Sequence, residues 1–228
     1  MVKIWIGNIA PLLEPKVFDD YYKLLPEHRK KKADMQMVPL KKAQSVGAWI
    51  LWSRMKEGYG LTDENIYSLS HSGDYVICST VTSGNKEVKL GCDIQRMEDY
   101  NEKLPRRFFT LSEIGRIEQE PTIHQQKEVF YRLWVLKESF QKATRLGMKL
   151  DMRSFQIALG NPSEIIKQPK EFHQKYYCYE IETQKMKQKL KLKDYKIAVC
   201  ATETKMDDVL CEYSFRDENF CSHPISLN

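Results

Sequence analysis

Three side chains at helical spacing suggest chemistry in the second half of the chain. In the stretch YRLWVLKESFQK, Tyr131 to Lys142, an aromatic residue, an acid and a base recur every four residues as Trp134, Glu138 and Lys142. Residues four apart share one face of a helix. An acid and a base one turn apart form either an ordinary surface ion pair or part of a functional site, and this stretch alone favours the ion pair.

A regular apolar pattern surrounds these three residues. Side chains at intervals of three and four predict a long helix from about Thr122 to Arg145. The apolar positions are Val129, Leu133, Leu136, Phe140 and Ala143.

A second polar pair follows an apolar, strand-like run. In KLGCDIQR, Lys89 to Arg96, the run ends in Asp93, and Gln95 comes two residues later on the same side of the strand. The predicted strand covers Glu87 to Ile94. With this second acidic position, the interpretation of Glu138 shifts from a surface ion pair to part of a site.

Two further segments have the composition of anion sites. EHRKKK packs positive charge into His28 to Lys32, which is either a solvated helix face or a phosphate site. SHSGD, Ser70 to Asp74, predicts a tight turn between strands Ile66 to Leu69 and Tyr75 to Val81. His71 in this turn is either structural or, beside two serines and exposed amides, a phosphate contact.

Glu113 also has two interpretations. The sequence from Thr110 to Glu113, TLSE, has the form of a capping box, so a structural role at a helix start is expected.

Composition limits the classes of protein. The chain has 228 residues, 42% hydrophobic, and a net charge of +5, which fits one large domain or two of about 110 residues. No apolar run is long enough to span a membrane, and the N-terminus does not resemble a signal peptide. The six cysteines include no CxxC pair and are interpreted as reduced core thiols of a cytoplasmic protein.

The two halves of the chain echo each other. SGDYVICST and KDYKIAVCATE both place tyrosine, apolar residues and cysteine before a small polar ending, which indicates an internal duplication. We expect an α+β fold with an N-terminal half, 1–98, and a C-terminal half, 99–228. A final edge strand is predicted from Val209 to Phe215.

Three motifs, in this order, resemble Sfp-type 4′-phosphopantetheinyl transferases. They are SLSHSGDYV around His71, LGCDI around Asp93, and WVLKESFQK from Trp134 to Lys142. RRFFTLSEI, LDMRSFQI and YKIAVCA extend the resemblance over most of the chain. Each motif alone is weak, whereas the combination with this spacing is specific.

The resemblance implies an enzyme that transfers the phosphopantetheine arm of coenzyme A to a serine of an apo acyl or peptidyl carrier protein. Adenosine 3′,5′-bisphosphate would be released. The implied fold is a pseudo-dimer of two similar α/β halves in a monomer, with coenzyme A and Mg²⁺ in the cleft between the halves.

The family pattern also implies roles for individual residues. Asp93 and Glu138 would bind the metal, with Gln95 as a doubtful third ligand. Lys142 would contact the pyrophosphate region. Further coenzyme A phosphate contacts would come from Ser70, His71, Arg29 and Lys31.

The residue types agree with this chemistry. Carboxylates are the protein ligands that Mg²⁺ prefers, and the same donors would accept Mn²⁺. Lys142 would neutralise charge that develops on the leaving group. The carrier serine needs a general base, which is Glu138 or Glu113, acting directly or through a water, and the sequence does not choose between them.

Two departures from the family pattern weaken the implied site. Many relatives have Glu where this chain has Gln95, which predicts lower metal affinity. A Gly-Lys-Pro stretch is missing between Leu61 and Leu69, so the contacts to adenine and the 3′-phosphate are less well defined than the metal site.

The expected partner is an acidic carrier domain, which suits a positive enzyme. Leu146, Met148 and Leu150 either form an apolar docking patch or return to the core. Two alternatives remain: a non-catalytic binder of carrier protein or coenzyme A, favoured only by Gln95, and a nucleic-acid-binding protein. Dispersed lysines nearly matched by acids disfavour the second.

Overall fold

The computed structural model describes residues 1–83, 85–182, 192–217 and 223–226. Contacts divide the chain into two compact units, Met1–Lys86 with Met206–Asn228, and Glu87–Lys205. The boundaries of these units differ from those of the predicted halves, 1–98 and 99–228. The strand that carries Asp93 pairs with a later strand of the second unit, and the segment after residue 205 pairs with the first strand of the chain.

The regular elements come in runs of helices and runs of strands. The first unit contains β1 (Val2–Asn8), α1 (Pro15–Lys23), α2 (Glu27–Asp34), α3 (Pro39–Gly58), β2 (Tyr67–Ser72) and β3 (Tyr75–Val81). The second contains β4 (Leu90–Arg96), α4 (Leu104–Phe108), α5 (Leu111–Glu118), α6 (Ile123–Ala143), β5 (Gln156–Ala158), β6 (Glu164–Lys167), β7 (Tyr177–Ile181) and β8 (Tyr195–Ala201). β9 (Met206–Tyr213) and β10 (His223–Ser226) complete the first unit.

The predicted α+β class is confirmed. No helix in the described ranges is long and apolar enough to cross a membrane. The two echoing segments form β3 and β8, and each packs against the long helix of its own unit, α3 or α6. The relation of the two halves as a pseudo-dimer stays a prediction.

The first unit contains a five-stranded sheet in the order β10-β9-β1-β3-β2, which packs against α3. Trp49 and Trp52 of α3 are buried in its core, as their apolar surroundings suggest. The edge position predicted for Val209 to Phe215 is wrong. β9 lies between β1, with which it is parallel, and β10, so its backbone groups are paired on both sides.

The SHSGD segment forms less turn and more strand than predicted. Strand β2 continues to Ser72, so Ser70 and His71 lie in the β2–β3 ladder, opposite Ile77 and Val76. The connection is only the two residues 73 and 74, and Gly73 takes φ 52°, which a glycine adopts without strain.

The second unit is built on the predicted long helix. α6 runs from Ile123 to Ala143. Its N-cap is Thr122, whose hydroxyl accepts a hydrogen bond from the Gln125 amide. Its apolar face packs against β4 and β8 of a three-stranded sheet in the order β4-β8-β7. A smaller sheet pairs β5 with β6.

β4 extends beyond the predicted end at Ile94, and Asp93 lies well within it. β4 continues to Arg96 because pairing with β8 carries on past Asp93, with Gln95 opposite Lys196. Side chains alternate along a strand, so Gly91, Asp93 and Gln95 share one face of β4.

Gly91 allows α6 to lie unusually close to that face. A Cβ atom at Gly91 would be 2.0 Å from the carbonyl oxygen of Ser139 and 2.4 Å from the amide nitrogen of Ala143. Both are backbone atoms of α6, which cannot yield as a flexible side chain does. The glycine therefore sets the distance between the strand that carries Asp93 and the helix that carries Glu138.

Replacing Gly91 with alanine should force α6 away from β4. We expect Gly91→Ala to lower the free energy of unfolding by about 3 kcal/mol, at the upper end of typical overpacking costs, measured by urea denaturation. The matched control is Gly115→Ala in α5, where an added Cβ meets no atom within 4 Å. That change should be neutral or stabilise by up to about 1 kcal/mol. Equal effects of the two substitutions would contradict the close approach.

Candidate functional site

The centre of the site is a contact between β4 and α6. Lys142 Nζ donates to Asp93 Oδ1 at 2.7 Å. Asp93 is only 5% exposed, and Lys142 lies in the last turn of α6, where the helix approaches Gly91. In a largely buried setting such a charge-assisted bond is stronger than at the surface.

Glu138 joins this pair from one helical turn earlier. Burial raises the pKa of its carboxyl above the ordinary value, and the negative charge of Asp93 raises it further, while Lys142 opposes both effects. Burial alone would lower the pKa of Lys142, but the charges of Asp93 and Glu138 are among the effects that leave it raised. Two carboxylates and one ammonium thus influence one another electrostatically within the second unit, and the direct bond is the one between Lys142 and Asp93.

Gln95, the doubtful third ligand, lies on the same face of β4 as Asp93. It is half-buried, and its amide nitrogen donates to the carbonyl oxygen of Arg96 at 3.0 Å. Among the described residues, no group of three or more His, Cys, Asp or Glu side chains is placed to hold a metal ion.

The donors that are present fit a hard cation. Two carboxylates and an amide oxygen form an all-oxygen set, which suits Mg²⁺ or Mn²⁺ when substrate phosphate and water complete the coordination. Zinc sites are built mainly from nitrogen and sulfur ligands, which this set lacks.

Glu113 lies in a different environment from Glu138. It completes the predicted capping box of α5, and its Oε2 accepts hydrogen bonds from the Thr110 amide at 2.8 Å and the Thr110 hydroxyl at 2.9 Å. Its Oε1 accepts from the Ile157 amide at 2.8 Å and contacts Lys137 Nζ at 2.9 Å. All four donors hold this carboxylate inside the fold.

Lys137 is a residue that the sequence reasoning missed. Its side chain is fully buried, and its ammonium also donates to the carbonyl oxygens of Met152 and Phe155, both at 2.8 Å. Burial lowers its pKa, against the opposing effect of Glu113. The signal in the sequence was a lysine four residues after Leu133, on the apolar side of the helix.

The predicted phosphate-binding residues of the first unit lie on α2 and β2. The Arg29 guanidinium stacks on the Trp49 ring at 4.0 Å, and burial lowers its pKa. Lys31 is exposed on the same helix. Ser70 is buried, and its neighbour His71 is exposed.

The three residues of the predicted apolar patch are placed differently from one another. Met148 is 96% exposed and Leu146 is 39% exposed, whereas Leu150 is buried in the core of the second unit. The exposed part of the predicted patch therefore consists of Leu146 and Met148.

Comparisons with known proteins point to one family. Residues 89–200 match the model of the 4′-phosphopantetheinyl transferase superfamily, and all of them lie in the second unit. The chain is 27% identical over 135 residues to a 4′-phosphopantetheinyl transferase of Bacillus subtilis. The matched segment covers 59% of this chain and 54% of that protein.

Two other relatives give the same result. The 4′-phosphopantetheinyl transferase Sfp of Bacillus subtilis (strain 168) is 26% identical over 66% of this chain and 61% of its own length. The 4′-phosphopantetheinyl transferase gsp of Aneurinibacillus migulanus is 29% identical over 51% of this chain and 47% of its own length. The chain thus spans about half the length of the curated relatives that it matches.

The raised pKa of Glu138 predicts a pH-dependent effect on stability. A carboxyl that binds its proton more tightly in the folded state opposes folding once it ionises, so this cost is absent below the unfolded pKa of about 4.3 and grows as pH rises through the folded pKa. We therefore expect Glu138→Gln to raise the melting temperature of the metal-free protein at pH 8, with the difference vanishing near pH 4.

Thermal denaturation by circular dichroism across this pH range measures the effect. Glu171→Gln, at an exposed position, is the control and should change the melting temperature little at any pH. A Glu138→Gln variant that is less stable than wild type at pH 8 would show that the charge of Glu138 is not a cost.

Proposed function

Because the chain belongs, through residues 89–200, to the 4′-phosphopantetheinyl transferase superfamily, we propose that it transfers the 4′-phosphopantetheine arm of coenzyme A to a serine of an apo acyl or peptidyl carrier protein. The observation that carries this proposal is the cluster of Asp93, Glu138 and Lys142. All three residues come from the matched segment and lie together in one compact unit.

The reaction balances without a redox partner. The serine oxygen attacks the phosphorus that bears the pantetheine, and the bond from that phosphorus to the second phosphate breaks. Adenosine 3′,5′-bisphosphate leaves with the bond electrons, and the serine proton passes to a base. Catalysis then depends on neutralising the pyrophosphate, positioning the serine and accepting its proton.

Asp93 and Glu138 would hold Mg²⁺, with the Gln95 amide oxygen or a water as a third donor. When bound, the ion would neutralise charge on the pyrophosphate and stabilise the leaving bisphosphate. Lys142 would turn from Asp93 to the phosphate oxygens. A lysine ammonium is cationic at neutral pH, as this role needs.

The surroundings of the two glutamates favour Glu138 as the base. Glu113 is buried, and both of its oxygens already accept two donors. Glu138 is partly exposed, and its raised pKa brings it closer to that of an effective general base. We propose that it accepts the serine proton directly or through a water.

Coenzyme A would also use the first unit. Arg29, Lys31, Ser70 and His71 supply cations, a hydroxyl and an imidazole, which suit its phosphates. The stacking of Arg29 on Trp49 holds its guanidinium in place before a ligand binds, which reduces the entropy lost on binding.

The carrier would be an acidic domain with an apolar surface, since the enzyme has a net charge of +5 and exposes Leu146 and Met148. We place the enzyme in the cytoplasm, as a monomer. The five described cysteines are all buried, as reduced core thiols would be, and Cys221 lies outside the described residues.

The direct test is transfer to a panel of apo carrier proteins with coenzyme A and Mg²⁺, followed by mass spectrometry of the carriers. Wild type should add the mass of one phosphopantetheine arm. Asp93→Asn and Glu138→Gln should each lower kcat/KM by at least about 100-fold, since one removes a metal ligand and the other a ligand and base. The exposed control Glu171→Gln should retain wild-type activity. No mass gain on any carrier, with coenzyme A still bound, would refute transfer and favour a non-catalytic binder.

The 2.7 Å contact between Lys142 and Asp93 predicts competition with the metal. Without Lys142, a metal at Asp93 no longer competes with the ammonium for Oδ1 and no longer meets its positive charge. We expect Lys142→Met to bind Mn²⁺ alone several-fold more tightly than wild type, measured by calorimetry without coenzyme A, while its transfer activity falls.

The control for this experiment is Lys149→Met, at an exposed position beyond the end of α6. It removes the same charge from the protein and should leave Mn²⁺ affinity within about twofold of wild type. Unchanged affinity in Lys142→Met would mean that the lysine and the metal do not share Asp93.

A further inference from the structure

The second unit contains a buried ion pair that the proposed reaction does not use. The side chains of Lys137 and Glu113 are 0% and 1% exposed, and their charged atoms are 2.9 Å apart. Every hydrogen-bonding position of the pair is filled. The ammonium has three oxygen acceptors, and the carboxylate has four donors.

The pair joins three parts of the unit at one point. Glu113 lies in the first turn of α5, together with its partner Thr110, and Lys137 lies in the middle of α6. The other partners, the carbonyls of Met152 and Phe155 and the amide of Ile157, come from residues 152–157. The ammonium also lies 4.2 Å from the centre of the Phe155 ring. Because the ammonium has three fixed acceptors, α6 cannot rotate without disturbing these bonds.

Such a pair is a weak argument for stability. Removing two charges from water costs several kcal/mol each, and well-packed apolar residues often stabilise a core as well or better. What an ion pair supplies that apolar packing does not is direction, because its hydrogen bonds fix distances and angles. The bonds of this pair therefore bear on the orientation of α6.

Lys137 is the neighbour of Glu138. Successive helical residues point about 100° apart, so fixing the azimuth of residue 137 fixes that of residue 138 and, one turn later, that of Lys142. The same helix is held on the side of β4 by the close approach of Gly91 to Ser139 and Ala143. Two contacts on different faces define the rotation of a helix about its axis.

We propose that the buried Lys137–Glu113 pair is a positioning pair, which sets the rotation of α6 so that Glu138 and Lys142 face Asp93. This inference rests on the proposed function of those three residues. Glu113 then acts through the helix and not on the substrate.

The test compares two double variants of the same helix. Lys137→Met/Glu113→Gln removes both charges and leaves no charge buried alone. The matched control is Arg132→Met/Glu180→Gln, which removes a two-bond ion pair at 2.7 and 3.0 Å between α6 and β7. Circular dichroism and urea denaturation establish that each variant is folded.

Mn²⁺ affinity without substrate is the first readout. We expect the Lys137/Glu113 variant to bind Mn²⁺ about 10- to 100-fold more weakly, as for residues that orient metal ligands. Its kcat should fall by a similar factor with KM for coenzyme A within about threefold. The Arg132/Glu180 control should change stability while its Mn²⁺ affinity stays within about twofold of wild type.

The outcomes separate the two proposals. A folded Lys137/Glu113 variant with wild-type Mn²⁺ affinity and kcat would overturn the positioning role, and so would an equal loss of affinity in the control. If wild type binds Mn²⁺ but transfers nothing, the proposed function fails, and the positioning role is still decided by the Mn²⁺ affinities. If wild type binds no Mn²⁺ without substrate, transfer to the carrier still decides the proposed function, and kcat decides the positioning role. A loss of kcat in the Lys137/Glu113 variant alone would then support that role, and an unchanged kcat would overturn it.

Discussion

Helix α6 lies against strand β4 because Gly91 has no side chain. The space where a Cβ would stand is taken by the backbone of Ser139 and Ala143. This close approach lets a short aspartate on the strand reach a lysine on the helix, and it places a glutamate of the helix within electrostatic reach of that aspartate. The oxygen ligands and the cation of the candidate site depend on this one contact between elements.

The site that results is electrostatically costly. Two carboxylates near each other in a partly buried position repel, and Lys142 offsets this repulsion only in part, since the pKa of Glu138 remains raised. Functional sites commonly keep such unfavourable charge because a ligand will neutralise it. A bound divalent cation would relieve the repulsion and release the lysine for a phosphate, so the charge repulsion that destabilises the metal-free protein favours binding of the cation.

The two glutamates of the second unit show how position decides the role of one residue type. Glu113 has four donors, one of which is its buried counter-ion Lys137, so it is part of the scaffold. Glu138 has burial and a like charge, and it keeps some exposure, so it is suited to chemistry. Glu113 contacts Lys137 on α6, and Glu138 is the next residue of the same helix. A structural ion pair at Lys137 can therefore affect the orientation of the reactive group beside it.

The sequence by itself determined the long helix, the α+β class, the motifs that identify the family, and the pairing of Asp93 with Glu138 and Lys142 as candidates. The helix and the class follow from local periodicity, the candidate residues follow from their chemistry, and the family follows from the resemblance of the motifs, none of which requires the fold. Only the tertiary structure decided that β9 is an interior strand, that Ser70 and His71 lie in a ladder and not in a turn, and that Leu150 is buried. It also showed that Glu113 faces Lys137 and that Gly91 sets the helix against the strand, because both depend on contacts between residues far apart in sequence.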